Sequence, residues 1–120
     1  MQDFRNLRVW QKAYKVTLSI YRVSVLFPEH EKFALTSQIR RSSSSVGANI
    51  AEGCGRDSQK EFARFLRIAL GLAMETYHHL LLARDLGYME NEVFDVLERE
   101  ILSLRKMLWS LRGKAESSCL

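Results

Sequence analysis

Between Phe94 and Leu111, apolar residues recur every three or four positions: Phe94, Leu97, Ile101, Leu104, Leu108 and Leu111. That spacing gathers them on one face of an α-helix and on no face of a strand. It is the tightest constraint in the chain, and weaker copies of it fill most of the remaining length. Leu7, Trp10, Tyr14, Thr17 and Tyr21 keep the same step. So do Leu35, Ile39, Val46 and Ile50, with Ser42 or Ser43 in the gap. Phe62, Phe65 or Leu66, Ala69, Leu72 or Ala73, Thr76, Leu80, Ala83 and Leu86 make a third series. No segment alternates with a period of two, and no unit repeats.

Local punctuation cuts this pattern into four pieces. Phe27-Pro28 ends the first, because the residue before proline is pushed out of the α region. Glu29 and Glu31 then suit the positive end of a following helix. Gly53-Cys54-Gly55 closes the second, and either glycine can take a left-handed cap. Ser58 and Glu61 form an S-x-x-E capping box for the third. Gly87 stops it, Asn91 offers an N-cap for the fourth, and Gly113 ends that one. The expected helices span about 6–26, 33–52, 59–86 and 92–112, in a single domain over 1–113. Residues 114–120 read as a frayed tail. The run Ser42-Ser43-Ser44-Ser45 is poor helix former, yet the apolar step continues through it. Its small side chains would let a neighbouring helix approach closely. Four helices with short connections predict an all-α, antiparallel up-down-up-down bundle.

Composition narrows the function classes. Two cysteines, Cys54 and Cys119, make neither a disulfide scaffold nor a metal quartet. The longest unbroken apolar run is four residues, at 80–83, far short of the about 20 a membrane span needs. The start lacks an apolar leader segment, so the expected compartment is the cytoplasm, with no membrane. The net charge is +4, but unevenly placed. Residues 1–70 hold twelve Lys/Arg against six Asp/Glu, and residues 71–120 hold six against eight. A basic half points to a polyanion partner, nucleic acid first.

A set of ordered motifs resembles a known family. Val9-Trp10-Gln11-Lys12-Ala13 opens it, followed by Phe27-Pro28 with Glu31. Leu35-Thr36-Ser37-Gln38-Ile39-Arg40-Arg41 runs on to Asn49-Ile50-Ala51-Glu52-Gly53 and Gly55-Arg56. Phe65-Leu66, Ile68-Ala69, Gly71, Glu75 and Leu86-Gly87-Tyr88 follow. In these the chain resembles the bacterial four-helix-bundle proteins encoded within intervening sequences of 23S ribosomal RNA genes, also described as ribosomal-protein-like. It departs at Leu72, where serine is usual, and at Ser42, where alanine is commoner. The resemblance implies a ring-like homo-oligomer, a homopentamer in the better understood relatives. It also implies a link to an accessory protein of diversity-generating retroelements that binds nucleic acid and contacts a reverse transcriptase. Trp10, Gln38, Asn49, Glu52, Gly53, Gly71 and Glu75 are the structural or assembly residues that it carries over.

The candidate nucleic-acid contacts are Arg8, Lys12, Lys15 and Arg22 on helix 1, Arg40, Arg41 and Arg56 around helix 2, and Lys60, Arg64 and Arg67 on helix 3. Cations a turn apart can follow a sugar-phosphate backbone. Helices 1 and 3 should be diagonal, so their basic faces point apart unless an oligomer gathers them. No base-reading motif or stacking platform is evident, which leaves RNA or DNA held through its backbone. Glu52, at a helix C-terminus, needs a cation such as Arg40, Arg41 or Arg56. Glu75 and His78 form one E-x-x-H, half of a di-iron signature that needs two. Cys54 reads as a surface-loop thiol, with Arg56 near enough to lower its pKa. No nucleophile elbow or phosphate-cradling glycine loop is present. The expectation is a non-enzymatic, cofactor-free and metal-free RNA-binding oligomer. The alternative is a helical scaffold that docks a protein partner.

Overall fold

The computed structural model describes residues 2–118, and it contains helices and no strand among them. A short 3-10 turn, Phe4–Asn6, leads into α1, Arg8–Ser24. A second, Glu29–Glu31, precedes α2, Leu35–Cys54. α3 is Gln59–Asp85 and α4 is Asn91–Ser117. Each helix packs on its sequence neighbours, α4 also closes on α1, and the pairs α1/α3 and α2/α4 lie diagonally. This is an up-down-up-down four-helix bundle, 48 Å along its longest axis.

The ends explain themselves locally. Asp3 accepts from Arg5 N at 3.0 Å and caps the first turn, so α1 begins at Arg8 rather than at residue 6. α1 stops at Ser24, and buried Phe27 plugs the end of the core beside Pro28. The N-cap of α2, Ala34, has no side chain to give, and Glu31 Oε1 accepts from Leu35 N at 3.2 Å instead. Ser58 Oγ accepts from Glu61 N at 3.1 Å, one arm of the capping box; the Glu61 side chain turns to Arg64. Gly87, at φ +80°, closes α3 in a Schellman motif: Tyr88 N donates to Ala83 O and Gly87 N to Arg84 O.

Several expectations need correction. Neither Gly53 nor Gly55 adopts a left-handed cap; α2 runs to Cys54, and Gly55 sits at φ −84°. Gly53 is instead required by proximity: a Cβ there would lie 2.8 Å from Phe65 Cβ and 3.1 Å from Phe62 Cδ1. Glu90, not Asn91, is the N-cap of α4. Gly113 does not end α4, which continues to Ser117 and buries Ala115, because one helical glycine costs only about 1 kcal/mol. The expected frayed tail is therefore helical to that point, and Cys119 and Leu120 lie outside the described residues.

The core stripe of α1 is also shifted by one residue. Val9, Ala13, Val16 and Ile20 are buried, whereas Tyr14 is 52% and Tyr21 42% exposed. Trp10 is half-buried, stacked on Tyr14 at 4.8 Å and set against Gly47 of α2. The aliphatic and aromatic stripes share one period, and the slimmer one goes inside because it allows the helices closer together. Leu86 is exposed as well. The serine run behaves as a helix: Ser42, Ser43 and Ser44 hydroxyls donate to the carbonyls three residues back. Ser42 and Ser43 are buried, Ser42 pairs with Thr76 of α3 at 2.8 Å, and Thr17 of α1 donates to Ser43 O at 2.9 Å.

Candidate nucleic-acid interface

The ten candidate cations fall into two groups. Five are occupied by the fold. Arg40 donates to Ser24 Oγ at 2.8 Å and to Tyr21 O, and stacks on the Tyr21 ring. Arg56 pairs with Glu52 at 3.4 Å and lies over Phe65, as does Arg64, which pairs with Glu61 at 3.1 Å. Arg67 crosses to Glu116 of α4 at 2.7 Å, and Lys12 crosses to Glu100. The other five, Arg8, Lys15, Arg22, Arg41 and Lys60, are exposed and have no acidic partner among the described residues.

Local acids respond accordingly. The Arg67 guanidinium first, then Arg112, holds the Glu116 carboxyl below the usual carboxylate range. Arg64 does the same to Glu61. These α3 cations are thus partly neutralised, and α1 and α3 are diagonal, so the ten do not make one patch.

What the structure gathers instead is a groove along the α1–α4 seam, the looser of the two seams α1 makes. Toward the α1 N-terminus its floor is apolar, made by Leu7, Val9, Met107 and Leu111, with Asn6, Arg8, Lys106, Ser110 and Lys114 also lining it. It continues past Arg8 and Met107 to Gln11, Lys12, Lys15, Glu100 and Ser103. Four unpaired cations, Arg8, Lys15, Lys106 and Lys114, thus border two adjoining grooves that share Arg8 and Met107, and Lys12 there is taken up by Glu100. Arg8, Lys12 and Lys15 lie a helical turn apart, about 5.4 Å along the axis. Lys106 and Lys114 were missed in the sequence reading. Lys114 was placed beyond a helix end set at Gly113, and Lys106 belongs to the acidic half of the chain. The i, i+8 spacing of the two on a continued helix was the available signal.

The family-motif residues occupy other places. Trp10 and Gly53 are packing residues, and Glu52 takes Arg56 as its cation. Asn49 donates to Ser45 O at 2.8 Å. Gln38 and Glu75 are exposed, Glu75 lying 3.4 Å from His79 Nε2. Gly71 is exposed and meets nothing within 4 Å of an added Cβ, so the bundle itself gives no reason for it. With the α2–α3 register set by the Ser42–Thr76 bond, Gln38, Asn49 and Glu75 flank the α2–α3 seam, opposite the basic groove. Glu75 pairs with His79 rather than with His78, and among the described residues no three His, Cys, Asp or Glu side chains cluster. Cys54 is a correction: it is buried, and burial pushes its thiol pKa up. No helix among the described residues is long and apolar enough to cross a membrane.

Fold and groove together define a small helical-bundle protein with a basic seam on one side and a polar, motif-bearing seam on the other. The profile of the 23S rRNA-intervening sequence protein family matches residues 5–110, and the chain belongs to that family. The chain is also similar to a solved structure from Bacteroides thetaiotaomicron, described as a protein of unknown function from the S23 ribosomal protein family. The two share 29% identity over 88% of this chain and 95% of that one, with a TM-score of 0.81. Comparison with curated proteins gives no match.

Proposed function

We propose that this protein is a non-enzymatic oligomer that holds structured RNA, or another nucleic acid, through its sugar-phosphate backbone in the α1–α4 groove. The observation that carries this reading is the convergence of the unpaired Arg8, Lys15, Lys106 and Lys114 on the α1–α4 seam, where the one carboxylate lining it, Glu100, is already paired with Lys12. Cations in a row displace condensed counterions from a phosphate chain, which supplies affinity without base readout.

Self-association is supported by apolar side chains that the single chain leaves open. Tyr14, Leu18, Tyr21 and Val25 make a stripe on the outer face of α1. Leu82 and the C-cap Leu86 make a different patch at the end of α3, with Ile68 exposed about 21 Å away along the same helix. Two unlike patches on diagonal helices suit head-to-tail contacts, which close into a ring when the rotation allows. That fits a homopentamer. Chemistry at the serine run is disfavoured, since its buried hydroxyls already bond to carbonyls of their own helix.

The test is fluorescence anisotropy of a labelled RNA hairpin across a salt series. Binding that weakens steeply with salt, with a log–log slope that drops by about one for Lys15→Ala and again for Lys114→Ala, supports the groove. Absence of binding at low salt refutes the reading and leaves a helical scaffold for a protein partner.

A further inference from the structure

Trp109 is the most exposed aromatic ring on the helices, at 60%. A large ring is rarely left so open without a use, because burying it would remove a large apolar area from water. It stands on α4 at the α3 side, beside Leu70 and Met74 of α3. Its ring is held in place: the Arg112 guanidinium sits 4.0 Å from the ring centroid, and Arg112 is itself anchored to Glu116 at 2.6 Å. Arg112 stands against one face of a ring that is still 60% exposed. The ring is thus a rigid, open plate backed by a cation.

Its surroundings point to an anionic ligand. Arg105 and Lys106, four and three residues earlier, line the same groove as Trp109, and neither has an acidic partner among the described residues. Protein–protein contacts favour tryptophan, methionine and arginine but are depleted of lysine, so the unpaired Lys106 beside Arg105 is what points to a polyanion. Lys106 also borders the α1–α4 groove, so one side chain joins the open ring to the basic channel. Lys106 is thus the point at which the α1–α4 groove meets the α3 side of α4, where Trp109 stands.

We propose that Trp109 is a stacking plate for an unpaired base, so that the ligand of the basic groove is a single-stranded or looped nucleic acid segment. This rests on the nucleic-acid reading above and adds the part of the ligand that is recognised. A base inside a duplex offers its faces only to its neighbours, whereas an unpaired base is free to stack on an aromatic side chain.

The experiment uses a 5′-fluorescein oligouridine 12-mer with one central 2-aminopurine, and the same strand annealed to its complement. The expected result is tighter binding of the single strand than of the duplex, with quenching of 2-aminopurine that saturates along with the anisotropy. Trp109→Ala should weaken single-strand binding about ten-fold and abolish the quenching, while Trp109→Phe keeps most of both. The salt slope should be unchanged in both variants, since no phosphate contact is lost. The proposal is overturned if Trp109→Ala binds and quenches as the parent does, or if duplex and single strand bind alike. It is also overturned if the variant changes the oligomer mass in light scattering with affinity intact, which would place Trp109 in a protein contact. In those cases salt-dependent binding by the parent keeps the backbone reading alive. No binding of either probe at low salt would remove both.

Discussion

Gly53 and Gly71 offer a comparison that exposes one packing contact. Gly71 is in the middle of α3, where Gly→Ala brings about 1 kcal/mol, whereas Gly53 is the last residue but one of α2, where the backbone benefit is smaller. They also differ in what a methyl group meets. At Gly71 an added Cβ has nothing within 4 Å, so Gly71→Ala should stabilise by close to that full amount. At Gly53 it would sit 2.8 Å from Phe65 Cβ, where carbon atoms prefer about 3.5–4.0 Å. Phe65 Cβ is fixed to its backbone and has no rotamer that takes it away, so α2 and α3 must move apart. Overpacking of that kind costs roughly 1–3 kcal/mol. The two variants should therefore differ by roughly 1–3 kcal/mol or slightly more, with Gly53→Ala the less stable, because Gly53 gains less from the helix and also meets Phe65. For a domain of this size the separation in Tm is roughly 3–15 °C. Differential scanning calorimetry at one protein concentration reads it directly. Melting points within about 2 °C of each other would refute the close α2–α3 approach. A Gly71→Ala variant that melts below the parent would show that Gly71 is buried by another copy of the chain.

Three further outcomes follow from the same structure. Leu18→Ser combined with Val25→Ser, both at exposed positions of the same stripe, should lower the oligomer mass in light scattering while shifting monomer stability by about 1 kcal/mol or less; an unchanged mass removes that stripe from the interface. Glu31 accepts from Tyr88 first and from Leu35 N second, and its carboxyl is held below its ordinary 4.5. A depressed pKa gives stability that is full above 4.5 and is lost as pH falls through the lower folded value. Glu31→Gln should flatten that acid limb in urea melts between about pH 5 and 3, and superimposable pH profiles for parent and variant would refute it. Leu108→Ala, at a position with no exposed surface, should cost about 2–5 kcal/mol in urea unfolding, and a loss under about 1 kcal/mol would contradict its place in the core.

The number and order of helices were legible in the sequence because each has its own periodic run and its own punctuation. Gly87 is the clearest case, since its positive φ is what a Schellman ending needs. The face of α1 was not legible. Val9, Ala13, Val16 and Ile20 lie one position before the aromatic stripe, and both stripes repeat at the same step. Packing decides it: Val9, Ala13, Val16 and Ile20 fill the core, while Trp10 and Thr17 of the other stripe border α2 at Gly47 and Ser43. The ion pairs that occupy half of the candidate cations were legible only in part. The pairs Glu52–Arg56 and Glu61–Arg64 stand at i, i+4 and i, i+3, a spacing that announces local pairing. Arg67–Glu116 and Lys12–Glu100 join residues far apart in the chain and carry no such signal. The groove itself joins the first helix to the last, so no local stretch contains it.

That junction has a dynamic consequence. α1 is the shortest of the four helices, at 17 residues, and its seam with α4 is closed by contacts spanning most of the chain. Such a seam pays the largest loop-closure entropy and returns the least burial, so it should be where the bundle opens first. Amide hydrogens of α1 should then exchange with solvent sooner than those of α2 and α3. Anything that bridges Arg8 or Lys15 to Lys106 or Lys114 acts as a fastener across this weak edge, slowing that exchange and raising the melting point with its concentration.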